Sequence, residues 1–147
     1  MQSNLNSLSS VRTVLRLTYG VVPLVAGLDK FFNVLTTWEQ YVNPAFARFL
    51  PFSTSTLMHI VGVLEIVAGL IVLFRFTTLG AYVVSAWLTL IALSLIFSGH
   101  FLDVAVRDVV MAVGAYTLAV LNAALEHSRA HDTSQADGRL RTSRFAV

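Results

Sequence analysis

LMHIVGVLEIVAGLIVLF, the stretch from Leu57 to Phe74, decides the fold. It is apolar almost throughout and about long enough to cross the hydrocarbon core of a bilayer. Glu65 sits at its middle and His59 near its start. A carboxylate at that depth is costly unless something polar meets it, which makes Glu65 a functional-site candidate.

The rest of the chain repeats the membrane pattern. Of 147 residues, 56% are hydrophobic and only 12% charged, far from the soluble norm. A first span is expected over about 14–36, the second over 57–74, a third over 79–97 and a fourth over 104–125. A polar segment, 1–13, precedes them, and the span domain closes near residue 127. Residues 128–147 read as a mobile polar tail. The N-terminal segment has no charge before Arg12, and no small-residue cleavage site follows the first apolar run, so that run reads as a span and not a signal peptide. The loop from Thr37 to Thr56 carries Trp38, Tyr41, Phe46, Phe49 and Phe52 with two prolines, a composition suited to the membrane interface.

Charge gives an orientation. Arg12, Arg16, Arg75, Arg129, Arg139, Arg141 and Arg144 fall on one side of a four-span arrangement, and Lys30, Arg48 and Arg107 on the other. The asymmetry favours both termini in the cytoplasm. The formal charge of +2 and the scattered basic residues exclude nucleic acid as a partner. With no cysteine, disulfides, thiolate metal sites and thiol redox chemistry are excluded.

Helical spacing assigns the faces. Gly20, Pro23, Gly27 and Lys30 share one side of span one, and Ala26, Asp29 and Asn33 another. Gly62, Glu65 and Gly69 lie in a narrow arc of span two, with His59 at its edge. Span three has Thr78, Ala81, Ser85, Thr89, Ala92 and Gly99 in one stripe, with His100 beside it; span four has Asp108, Ala112, Ala115, Ala119, Asn122 and Glu126. Small residues at this spacing let helices approach closely in lipid, where no hydrophobic force draws them together. The expectation is an all-α integral membrane four-helix bundle, left-handed and antiparallel, in a bilayer.

In that arrangement Asp29, Lys30, His59, His100, Arg107 and Asp108 converge on one side of the membrane around Glu65, as a candidate ligand-binding group. The alternatives are specific. Glu65 is either a ligand or proton site, or a carboxyl bonded to Ser85, Thr89 or a backbone carbonyl. Asp29 and Lys30 are either an interfacial anchor or a pair buried against Arg107 or Asp108. Asp103 and Arg107, four apart, fit a surface helix pair. His59 and His100, on neighbouring helices, have the residue type for b-type haem. The absence of any recognised ligand spacing favours ordinary interfacial histidines, and no metal is expected.

The segment Gly27-Leu28-Asp29-Lys30-Phe31-Phe32 resembles the glycine-x-x-lysine-hydrophobic signature of the DoxX-like family. The run Gly62-Val63-Leu64-Glu65-Ile66-Val67-Ala68-Gly69-Leu70 resembles its second-span pattern. The resemblance covers about Arg12 to Leu125 and carries over Gly27, Lys30, Glu65 and Gly69. It implies a small four-span protein of the bacterial inner membrane. Members of that family include the membrane subunit of an archaeal thiosulfate:quinone oxidoreductase and a mycobacterial protein that organises a superoxide dismutase with a sulfurtransferase; more distant animal relatives act as assembly factors or cargo receptors. Two functions follow as expectations. One is a redox-associated subunit with an intramembrane pocket, open to the outer face, for a quinone or other lipid-soluble ligand. The other is a non-catalytic scaffold for a partner protein or a second copy. A proton-coupled transporter ranks third, because four spans with no evident inverted repeat offer little for alternating access. The residues do not decide whether the chain is an enzyme.

Overall fold

The computed structural model describes residues 2–43, 47–74 and 76–144, with side chains over 7–43, 47–74, 76–128 and at 130. Phe46 and Arg75 lie outside the described residues, as do the side chains of Arg129, Arg139, Arg141 and Arg144. The described chain is all-α, with four long helices: α1 (Gln2–Asp29), α2 (Thr54–Leu73), α3 (Thr77–Ser98) and α4 (Leu102–Arg144). A short 3₁₀ turn, Trp38–Tyr41, lies between α1 and α2. Each long helix contains a stretch apolar and long enough to cross a membrane: Ser7–Asp29, Thr54–Leu73, Thr77–Ser98 and Leu102–Ser128.

The first span begins earlier and ends seven residues sooner than expected. Helix α1 stops at Asp29 because the backbone folds back on that residue. The amides of Phe32 and Asn33 return to the Asp29 carbonyl at 2.9 and 2.7 Å. Asn33 adopts φ 51°, a left-handed conformation that asparagine tolerates. The Asp29 carboxylate then accepts the amides of Val34 and Leu35 at 3.0 and 3.1 Å. A side chain read as membrane-embedded polarity is a helix terminator.

The other boundaries have local causes. Ser53 caps α2, its Oγ accepting the Thr56 amide at 3.2 Å. Thr77 Oγ1 donates to the Val72 carbonyl at 3.0 Å and closes the turn into α3. Gly99 ends α3 at φ 68°. The fourth helix overruns expectation most: the tail expected after the span continues it to Arg144. No proline lies within it, and its two glycines, Gly114 and Gly138, cost only about 1 kcal/mol each relative to alanine. Its 43 residues rise about 64 Å at 1.5 Å each, roughly twice the hydrocarbon thickness.

Packing joins two intimate helix pairs. Helix α1 lies chiefly on α2, and α3 chiefly on α4. Small residues permit the first pairing: a Cβ built on Gly27 would fall 2.5 Å from the Gly62 carbonyl oxygen, and one on Gly62 would fall 2.7 Å from that of Gly27. A Cβ on Gly69 would likewise fall 2.5 Å from the Gly20 carbonyl oxygen. The expected stripes therefore face each other. The pairs meet around Tyr19, Val72, Ala81, Val84, Leu118 and Ala119, near the end that carries the chain termini. Outward, Val25, Leu28, Val63, Leu90, Val110 and Val113 are exposed, as faces in contact with acyl chains require.

The termini end is also pinned by polar bonds. Arg16 donates to the Val72, Leu73 and Phe74 carbonyls, the last at 2.9 Å, covering unpaired acceptors at the end of α2. Arg12 donates to Asn122 Oδ1, and fully buried Asn122 donates to Thr78 Oγ1 at 2.7 Å and Glu126 Oε1 at 2.9 Å. Arg12 and Arg16 thus hold helices together instead of serving only as flanking charge.

Candidate functional site: a buried ion pair between two tryptophans

Toward the other end, α1 and α2 bring Lys30 and Glu65 together. Lys30 Nζ donates to Glu65 Oε2 at 2.6 Å, and the two side chains are only 4% and 12% exposed. The close glycine approach causes this meeting. Gly62 lies so near α1 that a Cβ there would touch the Lys30 Cβ at 3.2 Å, and Glu65 follows one turn later. The partner of Glu65 is therefore neither Ser85 nor Thr89. Ser85 Oγ donates to the Ala112 carbonyl at 2.9 Å, and Thr89 Oγ1 to that of Ser85 at 2.8 Å.

Each tryptophan of the chain flanks the pair. Lys30 Nζ stands 3.5 Å from the centre of the Trp38 ring, within cation–π range. Trp38 is fixed in turn by Asp29, whose carboxylate accepts its indole N–H at 2.7 Å. On α3, Trp87 lies beside Glu65, its buried Nε1 within reach of the carboxylate. Asp108 on α4 is within electrostatic reach of Lys30 and Glu65, with Arg107 as its own neighbour.

The other expected residues take separate places. Asp29 and Lys30 are both buried, at 7% and 4%, so they are not an exposed interfacial anchor; Lys30 belongs to Glu65 and Asp29 to Trp38. His59 is exposed and stacks on Phe31 with ring centres 4.9 Å apart. His100 is exposed in the turn after Gly99, its Nδ1 2.7 Å from the Ser98 carbonyl. The two histidines are thus engaged with different partners. Arg107 and Asp103 are exposed and Asp108 half-buried. Among the described residues no three His, Asp or Glu side chains converge on a possible metal position.

Sequence reasoning missed Trp38 and Trp87 as site residues. For Trp38 the available signal was its position nine residues after Asp29 in an otherwise polar turn. Nothing in the sequence connects Trp87 with Glu65.

The arrangement places one cation and one carboxylate in an apolar span, bracketed by two indoles. Such a pair is held at a desolvation cost that its mutual attraction offsets only with good geometry. The ammonium carries three donors, of which Glu65 uses one. Chemically, the site offers hydrogen-bond donors and flat aromatic surfaces. Compared with protein-family models, curated proteins and solved structures, the chain matches none.

Proposed function

We propose that this chain is a DoxX-like integral membrane protein that seats a quinone, or a similar lipid-soluble ligand with carbonyl acceptors, at the Lys30–Glu65 pair. The bundle is left-handed and antiparallel, with both termini on the cytoplasmic side of a bacterial inner membrane. The observation carrying this reading is the buried Lys30–Glu65 pair with the Trp87 indole donor beside it. A quinone oxygen would satisfy that donor, a free Lys30 proton would serve the other oxygen, and the Trp38 face suits a planar ring. In this role the chain is a redox-associated subunit: it supplies the seat, and electrons come from a partner.

The experiment uses the tryptophans themselves, since both flank the site. In proteoliposomes, decyl-ubiquinone is expected to quench their fluorescence saturably. The double variant Lys30→Met/Glu65→Met, which replaces a buried ion pair by apolar side chains, should fold and show only the linear, collisional component. Equal saturable quenching in both proteins would rule the reading out.

A second reading rests on a different observation. Phe32, Val34, Leu35 and Phe49 are 75%, 80%, 67% and 86% exposed near the Lys30 end. In a non-catalytic scaffold this segment would hold a partner protein. That reading gains if quinone fails to quench and replacing these four residues by serine releases a co-purifying protein.

A further inference from the structure

Residues 33–41, between α1 and α2, cross the Lys30 end of the molecule and are tied down at both sides. On one side, the Asp29 carboxylate holds the Val34 and Leu35 amides and the Trp38 indole. On the other, the Tyr41 ring meets the Phe101 ring edge-on, 4.8 Å between centres, just before α4 begins. Between these anchors the Trp38–Tyr41 turn packs on α2. Trp38 and Tyr41 also touch each other, with ring centres 6.2 Å apart. A continuous series, Lys30–Trp38–Tyr41–Phe101, thus runs from the ion pair at the end of α1 to the start of α4.

Two features distinguish this strap from an ordinary connection. Trp38, in the segment beyond the end of α1, lays its ring over the ammonium of Lys30, 3.5 Å from the ring centre, while the same ammonium donates to Glu65. Phe101, where Tyr41 rests, has φ 56°, a left-handed conformation that a bulky residue adopts only when its surroundings impose it. Elements held by a few ring contacts and strained at an anchor are the kind that switch between two discrete positions.

We propose that residues 34–41 form a gate on the aqueous side of the Lys30–Glu65 site, with Trp38 as the cover and the Tyr41–Phe101 contact as the latch. Closed, the gate leaves the ion pair reachable only from the bilayer. Open, it admits water and small ions to Lys30. The gate does not depend on which ligand, if any, the pair holds, so its test needs no ligand.

The sequence supplies a selective probe, because Lys30 is the sole lysine. The full chain in nanodiscs, with both faces accessible, is treated with sulfo-N-hydroxysuccinimidyl acetate, and acetylation of the Lys30 peptide is followed by mass spectrometry. The wild type should label slowly. Trp38→Ala should label roughly tenfold faster, within the range that loss of a cation–π contact gives, and Tyr41→Ala should also label faster than the wild type. Trp38→Phe, which keeps a cover but loses the bond to Asp29, should fall between. Tyr82→Ala removes a ring contact to Tyr116 on α3 and α4, away from the strap, and should leave the rate unchanged. Wild-type labelling rates in both strap variants would overturn the proposal. An equal acceleration in Tyr82→Ala would overturn it too, by tying Lys30 exposure to general loosening of the bundle.

Discussion

Lys30 Nζ and Glu65 Oε2 are 2.6 Å apart in side chains that are almost fully buried, although 35 positions separate the residues in the chain. Each is the reason the other can remain charged at that depth. Removing one leaves an isolated ion in a low-dielectric setting, whereas removing both leaves only a volume to fill.

Accordingly, Lys30→Met and Glu65→Met should each destabilise the protein by about 3–5 kcal/mol, while the double variant should be neutral or more stable by about 1–4 kcal/mol. Thermal unfolding of all three in the same detergent measures the non-additivity. Additive losses would mean that the pair is not coupled.

The contact of α1 with α2 should tolerate no side chain at its closest point. Gly27→Ala places a methyl 2.5 Å from the Gly62 carbonyl oxygen and 2.9 Å from Ile66 Cγ1. An overpacking cost of about 1–3 kcal/mol is expected. Because the same shift separates Lys30 from Glu65, Lys30 acetylation should rise as well. A variant of unchanged stability would place the two backbones farther apart than described.

At the termini end, Asn122→Leu removes a fully buried amide bonded to Arg12, Thr78 and Glu126. Leaving those partners unsatisfied should cost about 1–3 kcal/mol. Quinone-dependent quenching, read at the opposite end, should persist in the molecules that remain folded. Loss of both together would show that the two ends are not independent.

Asn33 is a residue whose backbone sets its tolerance. At φ 51°, Asn33→Gly should change stability little, whereas Asn33→Val should cost about 1–2 kcal/mol from the left-handed conformation. Comparing midpoints of thermal unfolding checks the order. A valine as stable as the glycine would indicate that α1 does not end in this turn.

Much of this protein was legible in its residues. Four apolar runs of membrane length fixed the all-α class, and small residues at helical spacing marked the faces that pack. Glu65 stood out because a carboxylate in an apolar run is expensive wherever it lies. Lys30 was legible as a candidate, but not as the partner of Glu65, because spacing along a helix says nothing about register between helices. That register comes from how closely Gly27 and Gly62 allow the two backbones to approach.

The boundaries were less legible than the spans. Asp29 and Asn33 read as polarity within a helix, yet they end it, because a short polar side chain bonds its own following amides when the backbone turns. The tail read as a separate segment, yet α4 continues through it, since helix propagation needs only the absence of a breaker.

The sequence by itself therefore determined where the chain is apolar, which faces are narrow and which ionisable residues must be explained. Those are local quantities, set by composition and a period of 3.6. Only the tertiary structure decided that Lys30 answers Glu65, that Trp38 lies over the lysine, and that Trp87 stands beside the carboxylate. Those depend on distances between helices, which side-chain volumes at the crossing points fix and no single stretch of sequence contains.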